Sequence, residues 1–124
     1  MFTVGSVIAA NQKWYKDDDH NIFLKIDEVD NKTATFAGTY GIIQNNGTTE
    51  FPYVGEFNAQ GVTIGWVVSY WNERENNHTL SAWAGILRLI AGPALRKIIN
   101  TTRSTVEEDI HSDTKLDYAT FVLE

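Results

Sequence analysis

The sequence predicts an all-β fold: one eight-stranded antiparallel up-and-down β-barrel spanning residues 1–124. Three observations predict it. Turn signals recur at short intervals, at Asp30-Asn31, Asn45-Asn46-Gly47, Asn58 to Gly61, Asn72 to Asn77, Gly92-Pro93 and Glu107-Glu108-Asp109. The runs between them are rich in Thr, Val, Ile, Tyr, Phe and Trp, which suit a pleated, half-buried surface. Almost nothing between the turns is long enough for a helix, and most connections are short enough for hairpins.

Taken in order, strands are expected at Gln12–Tyr15, Asn21–Val29, Lys32–Gly41, Glu50–Phe57, Val62–Trp71, Thr79–Leu89, Leu95–Val106 and Thr114–Leu123. Ile86 to Asn100 carries Leu and Ala that could serve a helix, but Gly85 and Gly92-Pro93 favour two strands and a turn. In the fifth strand Ile64, Trp66, Val68 and Tyr70 share one face, and Val67, Ser69 and Trp71 share the other. In the sixth, Thr79, Ser81 and Trp83 alternate at period two. Small hydroxyls beside an aromatic suit a cavity wall. Eight such strands closed on themselves leave no exposed edge and enclose room for one small ligand.

Composition narrows the function. A chain of 124 residues, 43% of them hydrophobic, supports one packed core and no second domain. A net charge of -6, with Lys and Arg scattered singly, argues against nucleic acid as a partner. There are no cysteines, and His20, His78 and His111 lack metal-motif spacing, so neither a thiolate site nor a zinc site is expected. No stretch approaches the roughly 20 apolar residues that span a bilayer. Met1 to Ala10 is apolar without a basic flank, a poor signal peptide. A soluble chain, secreted or cytoplasmic, is the expectation.

Gly65-Trp66-Val67-Val68-Ser69-Tyr70, followed by Asn77-His78-Thr79-Leu80-Ser81-Ala82-Trp83-Ala84-Gly85, resembles the avidin and streptavidin family. That family reads Gly-Trp-x-Val-x-Trp and then His-Ser-x-Thr-x-Trp-x-Gly. Trp14-Tyr15, Gly38-Thr39-Tyr40, Val54-Gly55-Glu56-Phe57, Ile99-Asn100-Thr101-Thr102 and Ala119-Thr120-Phe121 follow the same order, so the resemblance runs from about Gln12 to Leu123. It implies a biotin-binding barrel, a non-enzyme without cofactor, assembled as a homodimer or homotetramer.

Carried over residue by residue, the resemblance puts Tyr40 on the ureido oxygen of biotin. Asn46 falls in a lid loop that meets the ligand carboxylate, and Thr79 replaces a serine that does the same. Ser81 lies near the sulfur, and Trp83 is a wall tryptophan. Other positions depart from the pattern. Lys16 and His20 stand where the family has an asparagine and a serine donor. Ile42 replaces a serine acceptor, and Ala119 replaces an aspartate acceptor. Tyr70 and Arg103 replace wall tryptophans, and His111 falls near a tryptophan that reaches in from a neighbouring subunit. An unpaired buried N–H costs on the order of 1–3 kcal/mol, and loss of a charged acceptor more. Weakened biotin affinity is therefore expected. Lys16, His20, Tyr40, Arg103 and His111 suggest an anionic or carbonyl-rich ligand as the alternative. A barrel cyclase using Lys16, His20 and Tyr40 as acid–base groups, or a defence protein binding through its outer surface, are further alternatives. Asp17-Asp18-Asp19-His20 reads as a solvated turn, and Trp71 as an outward residue at a subunit contact.

Overall fold

The computed structural model describes residues 8–18, 20–58, 63–73, 76–90, 96–108 and 115–123. They form eight strands: β1 (Lys13–Lys16), β2 (Ile22–Asp30), β3 (Thr35–Gln44), β4 (Gly47–Phe57), β5 (Thr63–Asn72), β6 (Asn77–Ile90), β7 (Arg96–Glu107) and β8 (Lys115–Leu123). Each strand pairs antiparallel with the next, and the short β1 closes the barrel by pairing with β8 through Trp14↔Leu123 and Lys16↔Phe121. Ile86 to Ile90 continues β6 as strand, so the sheet and not a helix claims the described part of the ambiguous stretch.

Alternation decides which residues point inwards. Ile64, Trp66 and Val68 are buried while Val67, Ser69 and Trp71 are exposed, and Thr79, Ser81 and Trp83 are all buried. At the closed end the interior is filled by Ile8, Trp14, Leu24, Ile26, Phe36, Trp66, Ile99 and Phe121. Trp66 stacks on Trp83 at 5.6 Å, and the edge of Phe121 meets both rings at 5.4 and 5.2 Å. These aromatics make a solid floor beneath the cavity at the other end of the barrel.

Two features shape that hollow end. The β3–β4 ladder runs on to Gln44↔Gly47, where a loop from Ile42 to Thr49 was expected. Ile42, Ile43, Thr48 and Thr49 are β-branched and favour the extended ladder, so the expected lid is instead a hairpin arm. The β4–β5 ladder holds only Val54–Phe57 against Ile64–Val67. Pro52 sits just past its end, and a residue without an N–H is tolerated where a strand becomes an edge. Above that point the arm touches β5 through side chains, with Phe51 stacked on Tyr70 at 4.8 Å.

Candidate functional site

The hollow end is a cavity of about 270 Å³. At ~30 Å³ per water that is room for roughly nine waters. Seven of the residues singled out from the sequence line it: Lys16, Tyr40, Ile42, Tyr70, Thr79, Ser81 and Arg103. Trp83 lies beneath, its ring 6.2 Å from Tyr40 and 4.8 Å from the Arg103 guanidinium carbon. The inward face of β6 supplies Thr79, Ser81 and Trp83, β3 supplies Tyr40 and Ile42, and β7 supplies Arg103.

Three singled-out residues lie elsewhere. His20 is exposed in the β1–β2 turn. Its backbone takes a φ of 53°, its N–H donates to the Lys16 carbonyl at 3.1 Å, and its ring packs 5.9 Å from Tyr15. Asn46 is exposed at the tip of the hairpin arm. Ala119 faces the core two residues below the cavity wall, and its carbonyl accepts from Thr101 Oγ1 at 2.8 Å. His111 lies outside the described residues.

Four buried polar atoms find no hydrogen-bond partner among the described residues: Tyr40 Oη, Ser81 Oγ, Trp66 Nε1 and Trp83 Nε1. An unsatisfied buried polar group costs about 1–3 kcal/mol, and such groups call for a ligand or ordered water. Burial, and then Tyr70, raise the Tyr40 pKa well above the ordinary tyrosine range, while the Arg103 charge pulls it partly back. Tyr40 therefore stays a neutral hydroxyl able to donate. Arg103 lies close enough to Tyr40 for its charge and a contact to the hydroxyl to hold the tyrosine pKa down in part, although that hydroxyl meets no partner at full hydrogen-bond geometry.

Asp117 holds Arg103 in place. Arg103 Nη2 donates to Asp117 Oδ2 at 2.7 Å and Nε donates to the same oxygen at 3.2 Å. Burial lowers the Arg103 pKa, but the Asp117 bond and the neighbouring charges outweigh it and the net shift is upward. Arg103 is a fixed cation. Lys16 Nζ lies 3.2 Å from Asp18 Oδ1. At the rim, Thr79 Oγ1 donates to Asn77 Oδ1 at 3.1 Å, and Asn77 Nδ2 donates to Glu107 Oε2 at 3.3 Å.

Sequence reasoning did not place Asp117, Glu107 or Asn77. The signal was parity: Asp117, Ala119 and Phe121 share one face of β8, and Arg103, Thr105 and Glu107 share one face of β7. The two carboxylates matter because they balance Lys16 and Arg103, so the cavity carries both signs of charge.

A closed antiparallel eight-stranded barrel, floored by tryptophans and hollow at one end, is the avidin-type fold. Solved structures of that type are similar to this chain. Apo shwanavidin matches with a TM-score of 0.75 at 17% identity, covering 94% of this chain and 100% of the other. A shwanavidin variant in complex with biotin matches at 0.74 and 18%, covering 94% and 97%. The rhizavidin–biotin complex matches at 0.68 and 18%, covering 97% of each chain. No protein-family model and no curated protein sequence matches the chain. At this identity the likeness concerns the fold.

Proposed function

We propose that the chain is a non-enzymatic small-ligand-binding protein that receives its ligand in the hollow end of the barrel. The observation that carries this is the pair of orphan hydroxyls, Tyr40 Oη and Ser81 Oγ, buried at a cavity that opens at the rim. Biotin is the default ligand, since two of the similar structures are biotin complexes. On this reading Tyr40 donates to a carbonyl oxygen, Arg103 offers its remaining N–H groups beside it, and Trp83 forms the wall beneath.

Affinity should fall well short of tight avidin-type binding. Ile42 offers no acceptor, Ala119 lies below the cavity wall, and Asp117 is already engaged with Arg103. Two lost acceptors at about 1–3 kcal/mol each amount to several powers of ten. Calorimetric titration with biotin tests this. Saturable one-to-one binding in the micromolar range is the expected result, weakened in Tyr40→Phe and Ser81→Ala. Nanomolar saturation would contradict the roles given to Ile42 and Ala119, and no heat at millimolar biotin would remove biotin as the ligand.

The outer face supports a homo-oligomer. Register places Val54, Val67, Ala82, Ser104 and Leu116 side by side across β4 to β8, about 19 Å at the usual strand spacing. Val54, Leu116 and Tyr118 are 65%, 60% and 78% exposed, with Leu80 and Val106 adjoining. Exposed apolar side chains gathered on one outer face, with Ser104 among them, make a patch of the kind that marks an interaction surface, and a second copy of the barrel is the occupant we assign to it.

A further inference from the structure

We propose that the cavity reads its ligand by polarity along the barrel axis, taking a carbonyl-bearing head at Arg103 and a cationic or neutral tail at Glu107. This rests on the mouth being the ligand site. The inward face of β7 presents Arg103, Thr105 and Glu107 in that order. Arg103 and Glu107 are four residues apart on an extended strand, about 13 Å at the usual rise. Arg103 is the deep end, because it pairs in register with Trp83 on the aromatic floor, and Glu107 is the rim, because it ends the strand opposite Thr79.

The two ends differ in the chemistry they offer. The deep end is rich in donors: Tyr40 Oη, Ser81 Oγ and the guanidinium N–H groups that Asp117 does not take. The rim is acidic. Glu107 is 8% exposed and lines the cavity together with Thr79, accepting from Asn77 Nδ2, which is itself held by the Thr79 hydroxyl. Thr79 cannot readily serve a ligand anion there, since its hydroxyl donates to Asn77. A carboxylate tail leaving the cavity would pass a like charge in a poorly solvated wall, and such juxtaposition is strongly disfavoured. An ammonium tail would meet its complement.

Three ligands sharing one head decide the matter: biotin with its carboxylate tail, biotin primary amide, and biotin coupled to ethylenediamine, which ends in an amine. Calorimetry at low salt should rank them amine, then amide, then carboxylate, with the ends separated by about tenfold or more. Glu107→Gln should collapse that separation, and Arg103→Gln should weaken all three without reordering them. Equal binding of the three, or an order that survives Glu107→Gln, overturns the polarity proposal and leaves the mouth as the ligand site. 6-Aminohexanoate against adipate repeats the tail comparison without the biotin head. Binding of 6-aminohexanoate alone, lost in Glu107→Gln, would uphold the polarity and exclude the biotin head. Failure of every probe overturns both readings.

Discussion

Tyr40 is the residue on which the cavity turns. Its ring is held by Tyr70, at 6.4 Å, and by Trp83, so its hydroxyl has no freedom to leave the wall in search of a partner. An orphan hydroxyl is a cost to the unliganded fold and an asset to binding, which gives Tyr40→Phe a distinctive signature. Urea unfolding of the unliganded variant should show stability unchanged or raised by up to about 1 kcal/mol. Its ligand affinity should fall about tenfold. A variant destabilised by more than about 1 kcal/mol would mean that the hydroxyl is satisfied within the protein. Arg103 and Asp117 show where residue-level reading stops. The arginine was visible as a departure from the family pattern, but its partner lies across the β7–β8 ladder at Arg103↔Asp117. Local sequence does not reveal a pairing across a hairpin whose loop length is free. His20 and Asn46 missed the cavity for a related reason: one turn residue with positive φ and one hairpin tip aim side chains by backbone geometry, which residue type alone does not specify.

At the scale of elements, period-two patterning carried most of the fold. The buried and exposed faces of β5 and the buried hydroxyls of β6 were legible because one face of each strand packs on a dry floor and the other meets the outside. Strand ends were less legible at the β3–β4 arm, where β-branched residues continued a ladder that resemblance had assigned to a loop. The outer layer also has its own packing. Phe23 points outwards from β2, covers Gly41 of β3 with one edge of its ring, and carries the Lys13 ammonium 4.2 Å above that ring. A Cβ at Gly41 would lie 2.0 Å from Cε2 and 2.1 Å from Cζ of that ring. Gly41→Ala is therefore expected to lower stability by about 1–3 kcal/mol through overpacking, read as a lowered urea midpoint. Gly41→Ala combined with Phe23→Leu should recover part of the loss. A neutral Gly41→Ala would show that Phe23 does not rest on the β3 backbone.

The whole molecule joins a rigid end to a receptive one. Trp14, Trp66, Trp83 and Phe121 fill the floor, and the split between β4 and β5 leaves the arm beside the mouth tied by Phe51 and Tyr70. The outer face from β4 to β8 sets the expected assembly, at least a dimer. Native mass spectrometry of the protein mixed with biotin reads both properties in one spectrum. The account predicts an oligomer carrying one biotin mass per chain, an adduct lost when Tyr40→Phe and Arg103→Leu are combined, and dissociation to single chains in Leu116→Lys. An adduct that persists without Tyr40 and Arg103 would contradict the assignment of the ligand to the mouth of the barrel, and chains that carry no biotin would remove biotin as that ligand.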